Sequence, residues 1–279
     1  MVCAFEGWND AGDAASTAAS FMSDALDARR FAQLDTEEFY DLQANRPRIR
    51  IGDDNQREIE WPCVEMFAAK VPRAPHDLVL VRGVEPSLRW RSFGALIVEL
   101  AEALGVRMVI TLGALLADVP HTRPVAMTGF ASDPRLLERM GASNPGRYEG
   151  PTGIVGVLHG ICSDAGLPAM SLWASVPHYV AAAPSPKAAL ALVRRLESLV
   201  EVSVDASDLE QASATYERQV GLAVSSDPDV QAFVERLERD AEDDEEPLAP
   251  EDLPSGDLLA SEFQRFLRQR GHDGPKGPS

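Results

Sequence analysis

Glu6, Asn9, Asp10 and Asp13 all fall within one short stretch, Phe5-Glu6-Gly7-Trp8-Asn9-Asp10-Ala11-Gly12-Asp13. Carboxylates and an amide gathered in a Gly-containing turn can hold a cation, an amine or sugar hydroxyls. They can also cap the turn and the helix after it, by accepting from its orphan backbone amides. Capping is the plainer reading. The stretch has neither GxGxxG nor the GKS/T ending of a P-loop, and its carboxylates repel the phosphate that a helix dipole attracts. No nucleotide is expected there.

Two similar tripeptides follow two later apolar runs: Val119-Pro120-His121, leading into Thr122-Arg123-Pro124, and Val176-Pro177-His178, leading into Tyr179. Glu85-Pro86 ends an earlier run in the same fashion. If those runs are parallel strands, His121, Arg123 and His178 line one crevice with Glu6 and Asp10. Histidine would move a proton near neutral pH and Arg123 would orient an anionic group. The competing reading makes each histidine a hydrogen-bonded structural residue. Tyr148-Glu149-Gly150-Pro151-Thr152-Gly153 reads as a turn into a helix, with Thr152 as N-cap and Glu149 as a further ligand candidate. Gly153, Gly156 and Gly160 fall near one helical face, which favours close helix packing over a phosphate cradle. No GxSxG, HExxH or His-Cys-Cys cluster occurs. Cys3, Cys63 and Cys162 lack CxxC spacing and read as core or surface thiols, and Cys162 beside His159 is at best a weak nucleophile. Neither a metal nor a cofactor is expected.

The elements that must position these residues alternate. Val2 to Phe5 reads as a strand entering a turn at Gly7, then an Ala-rich helix from Asp13 to Arg29. A strand so close to Met1 looks shortened, and residues completing it are expected upstream. Arg48-Ile49-Arg50-Ile51, the turn signal Asp53-Asp54-Asn55 and Glu58-Ile59-Glu60-Trp61 predict a β-hairpin. Leu78 to Val81, Arg107 to Leu112 and Ala169 to Ala174 are buried strands, separated by helices over Ser87 to Leu104 and Gly153 to Asp164 and by a Pro- and Gly-rich loop region. A helix over Pro186 to Glu201 follows, with Pro at its first position. Such alternation implies a parallel or mixed sheet covered on both faces. Beyond Val204 three amphipathic helices are expected. The first opens on the capping box Ser207-Asp208-Leu209-Glu210. The second starts at Asp227-Pro228, with Val230, Phe233, Val234 and Leu237 on one face. The third carries Leu259, Phe263, Phe266 and Leu267. Asp240 to Asp257 holds nine acidic and no basic residues and reads as a solvated linker. Residues 271–279 are expected to be disordered. The domain reading is therefore a core over 1–204, a helical extension over 205–270 and a short tail.

The formal net charge of −18 repels nucleic-acid backbones and anionic membranes. The longest apolar stretch, near Met108 to Ala117, is about half the length of a bilayer span, and Glu6 and Asp10 spoil a secretory signal. The chain reads as cytoplasmic.

Together FEGWNDAGDAA, GALLADVPHTRP, YEGPTGIVGVL and SLWASVPHYVAAAPSPKAALAL resemble the proteasome assembly chaperone 2 family in its actinobacterial branch, from Val2 to about Leu199. The resemblance implies a phosphorylase-like three-layer α/β/α fold with a mixed sheet and a C-terminal helical extension. It also implies kinship with eukaryotic chaperones, non-enzymatic proteins that bind proteasome α-subunits partly through a tail of hydrophobic residue, Tyr and a final residue. This chain ends Gly277-Pro278-Ser279 instead. The family transfers no active-site residues. One expectation is a non-catalytic, self-associating protein-interaction module, a homo-oligomer, trimeric or other, with an unidentified protein partner. The alternative is a protein or enzyme that binds a nucleoside-like or amine ligand at the sheet's carboxyl edge. A single pocket joining the edge residues favours the second; scattered, internally paired groups favour the first.

Overall fold

The computed structural model describes residues 1–52, 55–140 and 149–245. Alternation along the first strand, β1 (Val2–Glu6), already sets the architecture: Val2 and Ala4 enter one buried cluster, Cys3 and Phe5 the other. A strand buried on both faces needs a helix layer on each side. After a 3-10 turn at Ala11–Asp13 come α1 (Ala14–Ala25), β2 (Arg29–Gln33) and α2 (Thr36–Phe39). The hairpin strands β3 (Arg48–Ile51) and β4 (Arg57–Glu60) precede β5 (Val64–Ala69), β6 (Leu78–Val84), α3 (Trp90–Ala103) and β7 (Val109–Ala117). Then come β8 (Met127–Ala131), α4 (Pro134–Met140), α5 (Ile154–Asp164), β9 (Ala169–Pro177), α6 (Pro186–Val200), α7 (Ser207–Ser225) and α8 (Pro228–Glu245).

The seven-stranded sheet has the order β2-β5-β6-β1-β7-β9-β8. Its middle, β6-β1-β7-β9, is parallel, and β5, β2 and β8 run antiparallel at the edges. Ala15, Ala18, Met22, Ala189, Leu192 and Leu196 of α1 and α6 pack one face, and Phe93, Ile97, Val155 and Leu158 of α3 and α5 pack the other. This is the three-layer α/β/α sandwich with a mixed sheet. A third, smaller cluster joins Tyr216, Val220 and Val224 of α7 with Val234 of α8, and Tyr179 packs against it. Met1–Glu238 forms one compact unit, so α7 belongs with the sheet.

Several boundaries differ from the sequence reading. The first helix stops at Ala25, because Asp27 turns left-handed (φ 48°) and Arg29 starts an edge strand. The Pro- and Gly-rich region contains β8 and α4. Ser207 is the first helical residue of α7 rather than its cap. Ala206 is the N-cap, while the Ser207 hydroxyl bonds Asp205 and Glu210 pairs with Arg194. The acidic stretch begins as helix, since α8 continues to Glu245. Asp53-Asp54, Tyr148, residues 246–257, the third C-terminal helix and the tail lie outside the described residues.

The hairpin forms a sheet of its own. Ile49 pairs Ile59 and Ile51 pairs Arg57, whereas Arg48 pairs Glu60 and Arg50 pairs Glu58. Alternation therefore gives it one face with the isoleucines and one face of opposed charges. Ile49, Ile51 and Ile59 are 65, 56 and 58 % exposed.

Candidate functional site

Because β6, β1, β7 and β9 point the same way, their carboxyl ends share one rim. Glu85 follows β6, Glu6 to Asp10 end or follow β1, Val119 to Arg123 follow β7, and His178 follows β9. The Glu85 amide donates to the Glu6 carbonyl at 3.0 Å and the Ala114 amide to the Asn9 carbonyl at 2.8 Å. Chain segments far apart in sequence are thus neighbours here. Their side chains, however, are divided among three settings.

The middle of the rim is buried and used for capping. Asp10 Oδ1 accepts from the amides of Ala15 (2.6 Å) and Ser16 (3.3 Å), closing the start of α1. Asp13, the N-cap by position, makes no side-chain cap bond and is exposed. Burial pushes the Asp10 carboxyl up to about 6; the hydrogen bonds from Ser16 and Ala15 oppose the shift and the Asp13 charge adds to it. The folded state therefore binds a proton that the unfolded chain, titrating near 3.8, has released. Asp10 should make stability fall as pH rises from about 4 to about 6, by about 2 kcal/mol. Asp10→Asn keeps the acceptor oxygen and removes this dependence. Urea unfolding at several pH values should show the variant gaining on the wild type as pH rises from about 4 to about 6 and keeping that gain above it, and parallel curves would refute the assignment.

Asn9 Nδ2 donates to Glu85 Oε1 at 2.8 Å, and the same oxygen accepts from the Ile154 amide at 2.8 Å. Glu85 therefore caps α5 from another strand, the role assigned by sequence to Thr152. Thr152 is exposed, its Oγ1 lies 3.5 Å from the Gly153 carbonyl, and Gly153 is the N-cap. A Cβ at Gly153 would sit 2.2 Å from Asn9 Nδ2, so any larger residue there must displace the Asn9 side chain from its bond to Glu85. The expected glycine packing stripe does not form: a Cβ on Gly156 would meet Thr152, and one on Gly160 would meet open space. The close helix approach is instead Gly94 of α3 against Ile161. Glu149 is exposed.

On the β7–β9 side the rim docks α7 and α8. The buried His121 donates its amide to Tyr179 Oη at 2.7 Å, and its Nδ1 lies 2.8 Å from the same oxygen. Burial, then the Lys187 charge, holds the imidazole below its usual pKa. Lys187 Nζ donates to the carbonyls of His121 (2.5 Å) and Arg123 (2.7 Å) and pairs with Glu217 of α7. His178 Nδ1 pairs with Asp118 at 2.8 Å, and its ring meets Phe233 of α8 edge-on. Thr122 Oγ1 donates to Glu238 at 2.5 Å. His121, Arg123 and His178 are thus brought together, apart from Glu6 and Asp10. Cys162 is fully buried and its thiol is pushed up to about 11, which removes it as a nucleophile.

The β6–β1 end of the rim opens into a cavity of about 690 Å³ that holds Glu6 and one side of Glu85. Lys187 and the cavity tryptophans were not picked out from sequence. A lysine near a helix start reads as solvated surface, and single tryptophans at positions 8, 61 and 90 share no local spacing that marks a common cavity.

A mixed-sheet α/β/α scaffold, with most rim polar groups committed to caps and helix docking, is the class of protein that these features define. The chain belongs to the PAC2 family, whose model matches residues 4–224. It is similar to a PAC2 family protein of Streptomyces avermitilis, with 48% identity, 84% of this chain and 98% of that one covered, and a TM-score of 0.77. It is also similar to a Mycobacterium tuberculosis proteasome-assembly chaperone homologue, with 43% identity, 84% and 98% covered, and a TM-score of 0.76. An archaeal proteasome activator of Pyrococcus furiosus shares the fold at 18% identity, with 80% and 92% covered and a TM-score of 0.64. No curated protein matches the chain. Among the described residues no helix is long and apolar enough to cross a membrane.

Proposed function

We propose that this chain is a non-catalytic, self-associating protein-interaction module of the cytoplasm, with assembly-chaperone-like work on other polypeptides. The observation that carries the reading is the hairpin. Two-stranded hairpins are marginal in water on their own, and this one turns Ile49, Ile51 and Ile59 to solvent. A second copy is the occupant that suits it. Arg48, Arg50, Glu58 and Glu60 offset one another on the opposite face and Arg57 sits across from Ile51, so the paired strands are close to neutral within a chain of net charge −18, and two arms can stack without the repulsion of the acidic bodies. The likeness to a chaperone homologue supports the wider role. The division of the rim, with Glu6 in a cavity and His121 beneath α7, disfavours proton transfer between them.

Sedimentation velocity tests this reading. At micromolar concentration the wild type should exceed its 30.2 kDa monomer mass, whether as a trimer or another closed oligomer. Ile49→Lys with Ile59→Lys should sediment as the monomer with an unchanged melting temperature. A monomeric wild type, or a variant that associates as before, would remove the hairpin from the interface.

A further inference from the structure

The cavity at the β6–β1 end of the rim is lined by three of the chain's four tryptophans, Trp8, Trp61 and Trp90. Four carboxylates share the lining, and two of them are engaged: Glu65 pairs with Arg30, and Glu85 accepts from Asn9 and Ile154. Glu6 and Glu60 make no side-chain hydrogen bond or ion pair among the described residues. Arg46 and Arg48 also reach the lining, with Arg48 directly across the hairpin from Glu60. Cys63, half-buried in the same wall, senses the sign of the field. Burial, then Glu65, pushes its thiol up, Glu60 and Glu6 add to this, and Arg30 is the cation that opposes it. This part of the cavity is carboxylate-dominated.

Indole faces attract organic cations through the ring quadrupole, and carboxylates grip guanidinium and ammonium groups by charge-assisted hydrogen bonds. We propose that this cavity binds an organic cation, a guanidinium or alkylammonium head on an apolar stem, seated among Trp8, Trp61 and Trp90 and held by Glu6 and Glu60. The site is compatible with self-association but does not depend on it, because Arg48 and Glu60 line the cavity while Ile49 and Ile59 lie on the hairpin's other face. The head can come from a free amine or from an arginine or lysine side chain of another polypeptide.

Titration of the full-length protein with agmatine and with acetyl-Gly-Arg-Gly-amide, followed by tryptophan fluorescence and calorimetry, tests the site. Acetyl-Gly-citrulline-Gly-amide is the neutral control. Saturable binding of agmatine alone assigns a free amine, and binding of the arginine peptide assigns a polypeptide side chain. In either case Glu6→Gln with Glu60→Gln should weaken binding about tenfold or more, and Trp8→Ala should weaken it while leaving the fold intact. Equal binding of the citrulline peptide, unchanged affinity in the glutamine variant, or no saturation by either cation would overturn the proposal.

Discussion

Gly83→Ala is expected to destabilise the protein by about 3 kcal/mol or more. Gly83 lies opposite Val64 in the β5–β6 ladder with φ 149°, and a Cβ there would stand 2.0 Å from the Cys63 carbonyl oxygen and 2.9 Å from Val64 Cα. Those are backbone atoms of the neighbouring strand, so no side-chain rotation can relieve the clash. The strand must separate, and with it the Cys63 wall of the cavity. Urea denaturation gives the loss directly; a loss below about 1 kcal/mol would mean that β5 and β6 do not approach as described.

Lys187→Met is expected to cost about 3 kcal/mol and to loosen α7 from the sheet. Methionine keeps the apolar stem but leaves the carbonyls of His121 and Arg123 and the Glu217 carboxylate without their shared donor. The Lys187 side chain is only 15 % exposed, so water replaces it poorly. The second consequence separates this from general destabilisation: limited proteolysis should cut near the α6–α7 connection in the variant before the sheet unfolds. Uniform unfolding with no early cut would show that α7 holds by its apolar face alone.

The parallel order of the central strands was legible because buried strands in such a sheet are continuous apolar runs. The run Ala169 to Ala174 starts where β9 starts, and Arg107 to Leu112 overlaps β7, which begins at Val109; both strands run further, to Pro177 and Ala117. β8 was not legible: Met127-Thr128-Gly129-Phe130-Ala131 lies in a Pro-rich region, and its pairing with β9 is set by the sheet edge it fills. The convergence of Glu6, Asn9, Asp10, Glu85, His121 and His178 on one rim followed from strand direction. Their division did not, because Glu85 caps a helix that begins 69 residues later and His121 is covered by helices beyond it in sequence. Local spacing carries no record of such long-range partners. The hairpin was read correctly in position, since alternation of Ile49, Ile51 and Ile59 with charged residues is a two-residue period; which face meets solvent is a tertiary fact.

Amide hydrogen exchange across Arg48–Ile51 and Arg57–Glu60 at rising protein concentration probes the uncovered isoleucine face itself. An arm buried against another copy must become protected as concentration rises, while the β1 and β7 amides, sealed inside the sheet, stay unchanged. Rapid hairpin exchange that ignores concentration would contradict self-association through this arm.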